Sequence, residues 1–190
     1  MEQIEQIEQT DIAYVNITSE EAILTAPIDR DLTQYTDIFK RDVLHIATHN
    51  GRFHADEVCA YTMLRKLYKS INPTGKLTIS RSRDEDIIAT GDIVVDVGQT
   101  FDPTIFRFDH HQTTFTDNYF MTDFNVPLSS CGLIYQYFGD IYLSHVCKKL
   151  TNNDSFDYNM LTNEQQSELL CSIYRRVILE IDAGDNGIEV

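Results

Sequence analysis

The sequence predicts an α/β protein with a mostly parallel sheet and helices on both faces. Three observations carry this. VLHIAT at 43–48 and DIVVDVG at 92–98 are short apolar runs of strand length bounded by turn residues. A stretch of helical period follows the first run, and a second strand-like run, KLTISRS at 76–82, leads into the short helical pattern DEDIIAT. Strand, helix, strand, helix, strand is the order that builds a parallel sheet.

Each element has a local reason. VLHIAT is followed at once by HNGRFHADE, a glycine-containing turn that opens a helix. Val58, Tyr61, Met63, Leu64, Leu67 and Tyr68 recur at spacings that give that helix one apolar face, and Asn72, Pro73 and Gly75 end it. DIVVDVG reads as a strand buried on both faces. Downstream, Ser129 or Ser130 caps a helix over CGLIYQYFG that Gly139 would end, TNNDSFDYN is a linker, and Thr162 opens a long helix. That last helix carries Leu169, Leu170, Ile173, Val177, Ile178 and Ile181 on one side. Residues 1–38, with the echo EQIEQIEQ and few periodic apolar positions, read as an acidic arm, partly disordered, ahead of a folded lobe over 39–190.

Composition bounds the function. A 42% apolar chain of 190 residues can bury a real core. No apolar run approaches the ~20 residues of a membrane span, and the acidic N-terminus resembles neither a secretory signal nor a transit peptide, so the expectation is an intracellular protein that does not enter a membrane. Cys59, Cys131, Cys147 and Cys171 are scattered without a CxxC pair and read as free thiols. The net charge of −15 disfavours a polyanionic partner, yet it is uneven. Residues 40–107 hold ten bases against nine acids, whereas each flank carries a net −8. A divalent metal would also neutralise part of a carboxylate cluster, so charge alone does not exclude a phosphate substrate.

Four clusters share one vocabulary of histidine and carboxylate: His49, His54 and Asp56; Asp96, set inside an apolar strand; Asp109, His110 and His111; Asp182 and Asp185. Taken singly, each has a plain reading as a turn histidine, a helix first-turn acid, a strand-end cap or a solvated helix end. Taken together they suit manganese or magnesium better than structural zinc. Asp182 and Asp185, three apart, fall on one face if the last helix runs that far.

HNGRFHADE, RSRDEDI, DIVVDVG, RFDHHQTTF, LSSCGLIYQYFG and EIDAGDNGI, in this order over roughly residues 43–188, resemble the Myg exonuclease family, a branch of the DHH phosphoesterases. The resemblance implies the N-terminal catalytic lobe of that fold, a two-metal phosphoesterase, and for this branch a 3′-to-5′ exonuclease acting on RNA or short oligonucleotides, with two Mn2+ ions (or Mg2+) as cofactor. It implies metal ligands at His49, His54, Asp56, Asp96, His110 and either Asp182 or Asp185. Asp96 would bridge both ions, and histidine at position 54, where most relatives have aspartate, favours manganese. His111 would face the scissile phosphate, with Asp109 orienting a histidine. Arg52, Arg81, Arg83 and Arg107 are candidates to hold phosphate, although Arg81 and Arg83 could pair with Asp84 and Glu85, and Ser129 and Ser130 offer an anion-binding helix start. Relatives continue past the DNG block into a second lobe, whereas this chain ends at Val190, so the expectation is the metal-bearing lobe alone. A small-substrate phosphatase and a non-catalytic module that keeps the fold are the alternatives.

Overall fold

In the computed structural model, residues 33–119, 125–150 and 157–188 are described. A short helix, α1 (Thr33–Asp37), and a 3-10 turn (Ile38–Lys40) lead into β1 (Val43–Thr48), α2 (Ala55–Ile71), β2 (Lys76–Arg81), α3 (Glu85–Ala89) and β3 (Ile93–Val95). Two brief strands follow, β4 (Phe101–Asp102) and β5 (Arg107–Phe108). The chain then runs through α4 (Ser130–Leu150), α5 (Asn163–Ile173), a π turn (Tyr174–Ile178) and α6 (Leu179–Asp185).

The sheet order is β2-β1-β3-β5-β4. β1 pairs in parallel with β2 and β3, β3 pairs in parallel with β5, and β4 closes the edge antiparallel to β5. The α/β class with a mostly parallel sheet is therefore the one the sequence predicts. After β1 the chain crosses to β2 through α2, and after β2 it returns past β1 to β3 through α3. The strand order thus reverses between β1 and β3, which opens a crevice at their carboxyl ends.

The two faces of the sheet are covered unequally, and strand alternation shows how. Leu44 and Ile46 of β1, with Ile93 and Val95 of β3, join the main core beneath α2, α4 and α6. Ala47 and Val94 point the other way, into a small cluster with Ile88 of α3. On that thinner side His45 bonds the hydroxyls of Thr78 and Ser80 at 2.8 and 3.1 Å. Among the described residues no helix is long and apolar enough to cross a membrane, and none of the four cysteines is in a disulfide.

Several elements depart from the sequence expectation. The expected arm over 1–38 lies outside the described residues up to 32; over 33–38 it is a packed helical segment, with Tyr35 and Ile38 in the core. The apolar stripe of α2 is rotated: Val58 is exposed, and the buried positions are Asp56, Glu57, Ala60, Leu64, Leu67 and Tyr68. Gly139 does not end α4. The helix continues to Leu150, and the missing side chain lets the Tyr135 ring lie against the backbone. In the last helical stretch the π turn inserts an extra residue per turn and resets its phase. Tyr174, Ile178, Leu179 and Ala183 are consequently buried while Val177 is exposed.

Phe138 ties these layers together, meeting Tyr35, Phe39 and Phe108 edge-on at centroid distances of 5.6, 5.5 and 5.5 Å. Its replacement, Phe138→Ala, should cost about 3–5 kcal/mol of stability, read from the midpoint of urea unfolding, because the cavity opens where α1, α4 and β5 meet.

Candidate metal centre

Three turns deliver the site. β1 ends at Thr48, so His49 emerges at the carboxyl end of the sheet, fully enclosed at 3% exposure. Its Nδ1–H donates to the carbonyl of Asn50 at 2.8 Å, so in the neutral ring it is Nε2 that presents a lone pair. That nitrogen faces Glu57 Oε2, and it lies 3.1 Å from Asp96 Oδ2. Acceptors therefore face acceptors, an arrangement that only a proton or a cation resolves.

Asp96 follows β3 directly. Its backbone sits in the left-handed region at φ 58, a costly conformation for a residue with a side chain. The reversal turns a carboxylate into the crevice where a regular strand would have carried it away. Ser130 at the start of α4 lies 3.4 Å from its Oδ1. From β5 the chain passes to Asp109, His110 and His111. His110 Nε2 lies 3.1 Å from Asp185 Oδ2, 3.5 Å from Asp96 Oδ1 and 3.9 Å from Asp56 Oδ2. The ligand-type atoms of His49, His54, Glu57 and Asp96 lie within 4.8 Å of one another, as do those of Asp96, His110 and His111, and those of His54, Asp56 and Asp185. Asp96 and His54 each belong to two of these groups, so the groups form one continuous cluster.

Burial dominates its electrostatics. Loss of water, with the Asp96 and Asp185 charges nearby, pushes the Asp56 carboxyl up to about 7. Burial also raises Glu57 against the opposing pull of His49. For His110 burial favours the neutral ring, but the carboxylates of Asp185 and Asp96 together outweigh it and push its pKa up to about 10. Asp185 is held below its ordinary value by His110. Asp56 Oδ1 and Oδ2, Glu57 Oε2, Asp96 Oδ2, His49 Nε2 and His110 Nε2 are all buried without a hydrogen-bond partner. So many orphaned donor-set atoms in one space fit a site for divalent cations.

His111 differs from the rest. Half of its side chain reaches solvent, and its Nδ1 donates to Asp109 Oδ1 at 2.6 Å, which raises the histidine. Asp109 is itself buried, and its other oxygen accepts from the Gln99 backbone at 2.5 Å. Burial works against its ionisation, but these hydrogen bonds together hold it below the ordinary range. Asp109 thus fixes the ring of His111 through Nδ1.

Not every residue singled out in the sequence arrives here. Asp185 joins the cluster and Asp182 does not, although they are three apart. Asp182 is fully buried and accepts from Ser129 N and Gly132 N at 3.0 Å, from the Ser129 hydroxyl at 2.6 Å and from the Tyr174 hydroxyl at 2.9 Å. It therefore serves the start of α4, and a Cβ on Gly132 would collide with its oxygens. Ser129 and Ser130 are fully buried; their hydroxyls donate to Asp182 and to the Phe108 carbonyl, so they brace the interior and offer no hydroxyl to a substrate. Arg52 is exposed on the β1–α2 turn. Arg81 pairs with Glu57 at 3.0 Å and stacks 3.7 Å over Phe53, and it does not pair with Asp84, whose carboxylate caps α3. Arg83 and Arg107 line a cavity beside the cluster. Glu57 is the residue that sequence reasoning missed. It continues the buried stripe of α2 through Ala60, Leu64 and Leu67, and an acid on an apolar stripe was the available signal.

Fold and site together define a class: an α/β protein whose switch-point crevice holds a histidine and carboxylate cluster suited to divalent cations. The chain belongs to the MYG1 exonuclease family, since residues 45–190 match the family model MYG1_exonuc, described as an uncharacterised protein family (UPF0160). It is 40% identical over 148 residues to MYG1 protein C694.04c of Schizosaccharomyces pombe, covering 77% of this chain and 41% of that protein. It is 38% identical over 148 residues to the MYG1 protein of Dictyostelium discoideum (77% and 39%) and 38% identical over 152 residues to the MYG1 exonuclease of Homo sapiens (75% and 35%). The chain thus spans well under half the length of the curated relatives it matches. No solved structure matches it.

Two outcomes follow from this geometry. Asp182→Ala strands several buried donors, so it should lower stability by more than about 3 kcal/mol in urea unfolding. For the metal-free protein, Asp56, Asp182 and His110 all bind a proton more tightly folded than unfolded, with folded values near 7, 6 and 10. The folded state then holds the extra protons, and stability falls as pH rises through those values. The thermal midpoint in chelator should drop between pH 6 and pH 9, and added Mn2+ should restore more of it at pH 9 than at pH 6.

Proposed function

We propose that this chain is the metal-bearing part of a nuclease: a phosphodiester hydrolase dependent on two manganese ions that acts as a 3′-to-5′ exonuclease on RNA. The observation that carries the reading is the set of six buried, unpartnered ligand-type atoms contributed by Asp56, Glu57, Asp96, His49 and His110. The names of its relatives support it: the human one is called an exonuclease. The order of the sequence motifs, resembling the DHH phosphoesterases, supports the phosphoester substrate.

His49, His54, Glu57 and Asp96 would hold one ion, and Asp56, Asp96, His110 and Asp185 the other, with Asp96 common to both. When bound, such ions polarise the phosphoryl group and make an attacking water acidic enough to deprotonate near neutral pH. The chain supplies the rest. Asp109 keeps the proton of His111 Nδ1 in place and raises the ring's affinity for a second proton, so His111 Nε2 can donate to the leaving oxygen as the ester bond breaks. Arg81 clamps Glu57 from behind and stops that carboxylate from swinging away. Arg83 and Arg107 bring positive charge to the crevice wall.

The test is hydrolysis of an end-labelled short RNA and of bis-p-nitrophenyl phosphate, with and without Mn2+, by the wild type and by His110→Ala. Manganese-dependent turnover that falls by about 100-fold or more in the variant is expected. Equal rates in the two proteins, or none at saturating Mn2+, would remove the hydrolase reading. Shortening from the 5′ end would remove the stated polarity.

A further inference from the structure

One border of the lobe carries a charge unlike the rest of the chain. The whole chain has 30 acids against 15 lysines and arginines, yet residues 58–83, most of α2 and all of β2, hold six of those bases and no acid. They are Arg65, Lys66, Lys69, Lys76, Arg81 and Arg83. β2 is the outermost strand on its side of the described sheet. Contacts at both ends fix which side of α2 adjoins it: Glu57 meets Arg81 at 3.0 Å, the Tyr68 hydroxyl donates to the Lys76 carbonyl at 3.3 Å, and Lys69 donates to the Gly75 carbonyl at 2.6 Å. Tyr61 and Arg65 lie between them on the same side of the helix. Of the six bases, Arg81 alone has a described carboxylate, Glu57, within ion-pair distance. The bordering acids stand at the two ends of the strand: Asp42 at its foot, and Asp84 beyond it, where its carboxylate caps α3.

The same border has unpaired backbone and apolar side chains. The N–H groups of Lys76 and Ser82 donate inward to the carbonyls of Asp42 and Thr48 at 2.7 and 2.9 Å. By alternation Leu77, Ile79 and Arg81 turn their N–H and C=O groups outward, where the described sheet has no further strand. Ile79 and Val58 are each 44% exposed, and Phe53, stacked under the Arg81 guanidinium, is 69% exposed. An edge with these properties invites another segment of chain.

A complementary segment exists in the same molecule. Residues 2–12, EQIEQIEQTDI, place Glu2, Glu5, Glu8 and Asp11 at every third position with Ile4, Ile7 and Ile12 among them, and no lysine or arginine precedes Arg30. The first described residue, Thr33, opens α1, whose Tyr35 packs on Phe106 beside β5. The border lies across the sheet from there, about 20 Å at the usual strand spacing. Residues 13–32 can span about 65 Å when extended, so the segment reaches it.

We propose that residues 2–12 dock on the border formed by β2 and the adjoining side of α2. Their carboxylates meet Arg65, Lys66, Lys69 and Lys76, and their isoleucines cover Ile79 and Val58. A tethered segment acts at an effective concentration of about millimolar, so a contact too weak to hold a free peptide is held within the chain. The docked segment closes the sheet edge to other chains and shields its cations from other polyanions. None of this depends on the reading of the metal centre.

Carbodiimide cross-linking of the full chain tests the docking, because the reagent joins a carboxylate to a lysine amine only where the two touch. The sample is an equal mixture of unlabelled and isotope-labelled protein. Amide links from Glu2, Glu5, Glu8 or Asp11 to Lys66, Lys69 or Lys76 are expected within chains of one label, and they should vanish at about 1 M salt, where charges are screened within about 3 Å. Links between differently labelled chains would assign the segment to a second copy, and links confined to Lys40, Lys148 and Lys149, or none, would leave the border uncovered; each overturns the proposal. Binding of a fluorescent oligouridylate in chelator, as a polyanion probe, gives a second readout. Replacing the four acids (Glu2→Gln, Glu5→Gln, Glu8→Gln and Asp11→Asn) should tighten it about tenfold as the tethered competitor is lost, and adding Arg65→Gln and Lys69→Gln should cancel that gain. Circular dichroism confirms that each variant is folded. Equal affinity of the wild type and the four-acid variant would mean that the border is already open to a nucleic acid, and it overturns the docking.

Discussion

Mutual repulsion among buried carboxylates is the constraint around which this lobe is organised. Asp56, Glu57, Asp96 and Asp185 converge where water is largely excluded, and two imidazole nitrogens point into the same space. Left alone, such a group keeps protons at unusual pH, and this is the direction in which Asp56 and His110 are displaced. A chain optimised only for stability would replace these residues with apolar ones. Their presence inside an otherwise well-packed core fits a site built to hold a cation.

Topology makes the convergence possible at low cost. The reversal of strand order between β1 and β3 leaves a crevice at their carboxyl ends, and the next residues of both strands, His49 and Asp96, enter it without a long loop. α2 begins at the same rim, so Asp56 and Glu57 occupy its first turn and the remaining apolar stripe anchors the helix below them. β5 ends there too and delivers Asp109, His110 and His111. Of these cluster residues only Asp96 adopts a left-handed backbone, and it is the carboxylate common to the groups on both sides of the cluster.

Much of this was legible in the residues. Strand-length apolar runs alternating with helical spacing specify a parallel sheet, and His49, His54, Asp56, Asp96, His110 and Asp185 do meet in space. The losses share one cause: periodicity gives a stripe but not its exact phase. Counting apolar letters put Val58 on the inner face of α2 and passed over Ala60, so Glu57 was not recognised as an inward position. β4 and β5 are too short for alternation to register. Gly139 reads as a stop signal in the sequence because its role in admitting the Tyr135 ring depends on packing that local sequence does not encode.

The separation of Asp182 from Asp185 shows how a small irregularity divides structural from chemical duty. Both lie in α6, just after the π turn. The widened turn brings Tyr174 into a stack with Tyr119 at a centroid distance of 4.0 Å and places its hydroxyl on Asp182. Asp182 is thereby committed to the start of α4, where it meets two backbone N–H groups and the Ser129 hydroxyl. Asp185 lies nearly one turn further, past the end of that packed layer, and reaches His110. The two acids have similar sequence surroundings, and what separates them is packing: one completes a buried hydrogen-bond network that fixes α4 against α6, and the other is left with a histidine as its neighbour. Because α4 also positions Ser130 against Asp96, the carboxylate outside the cluster still governs its geometry.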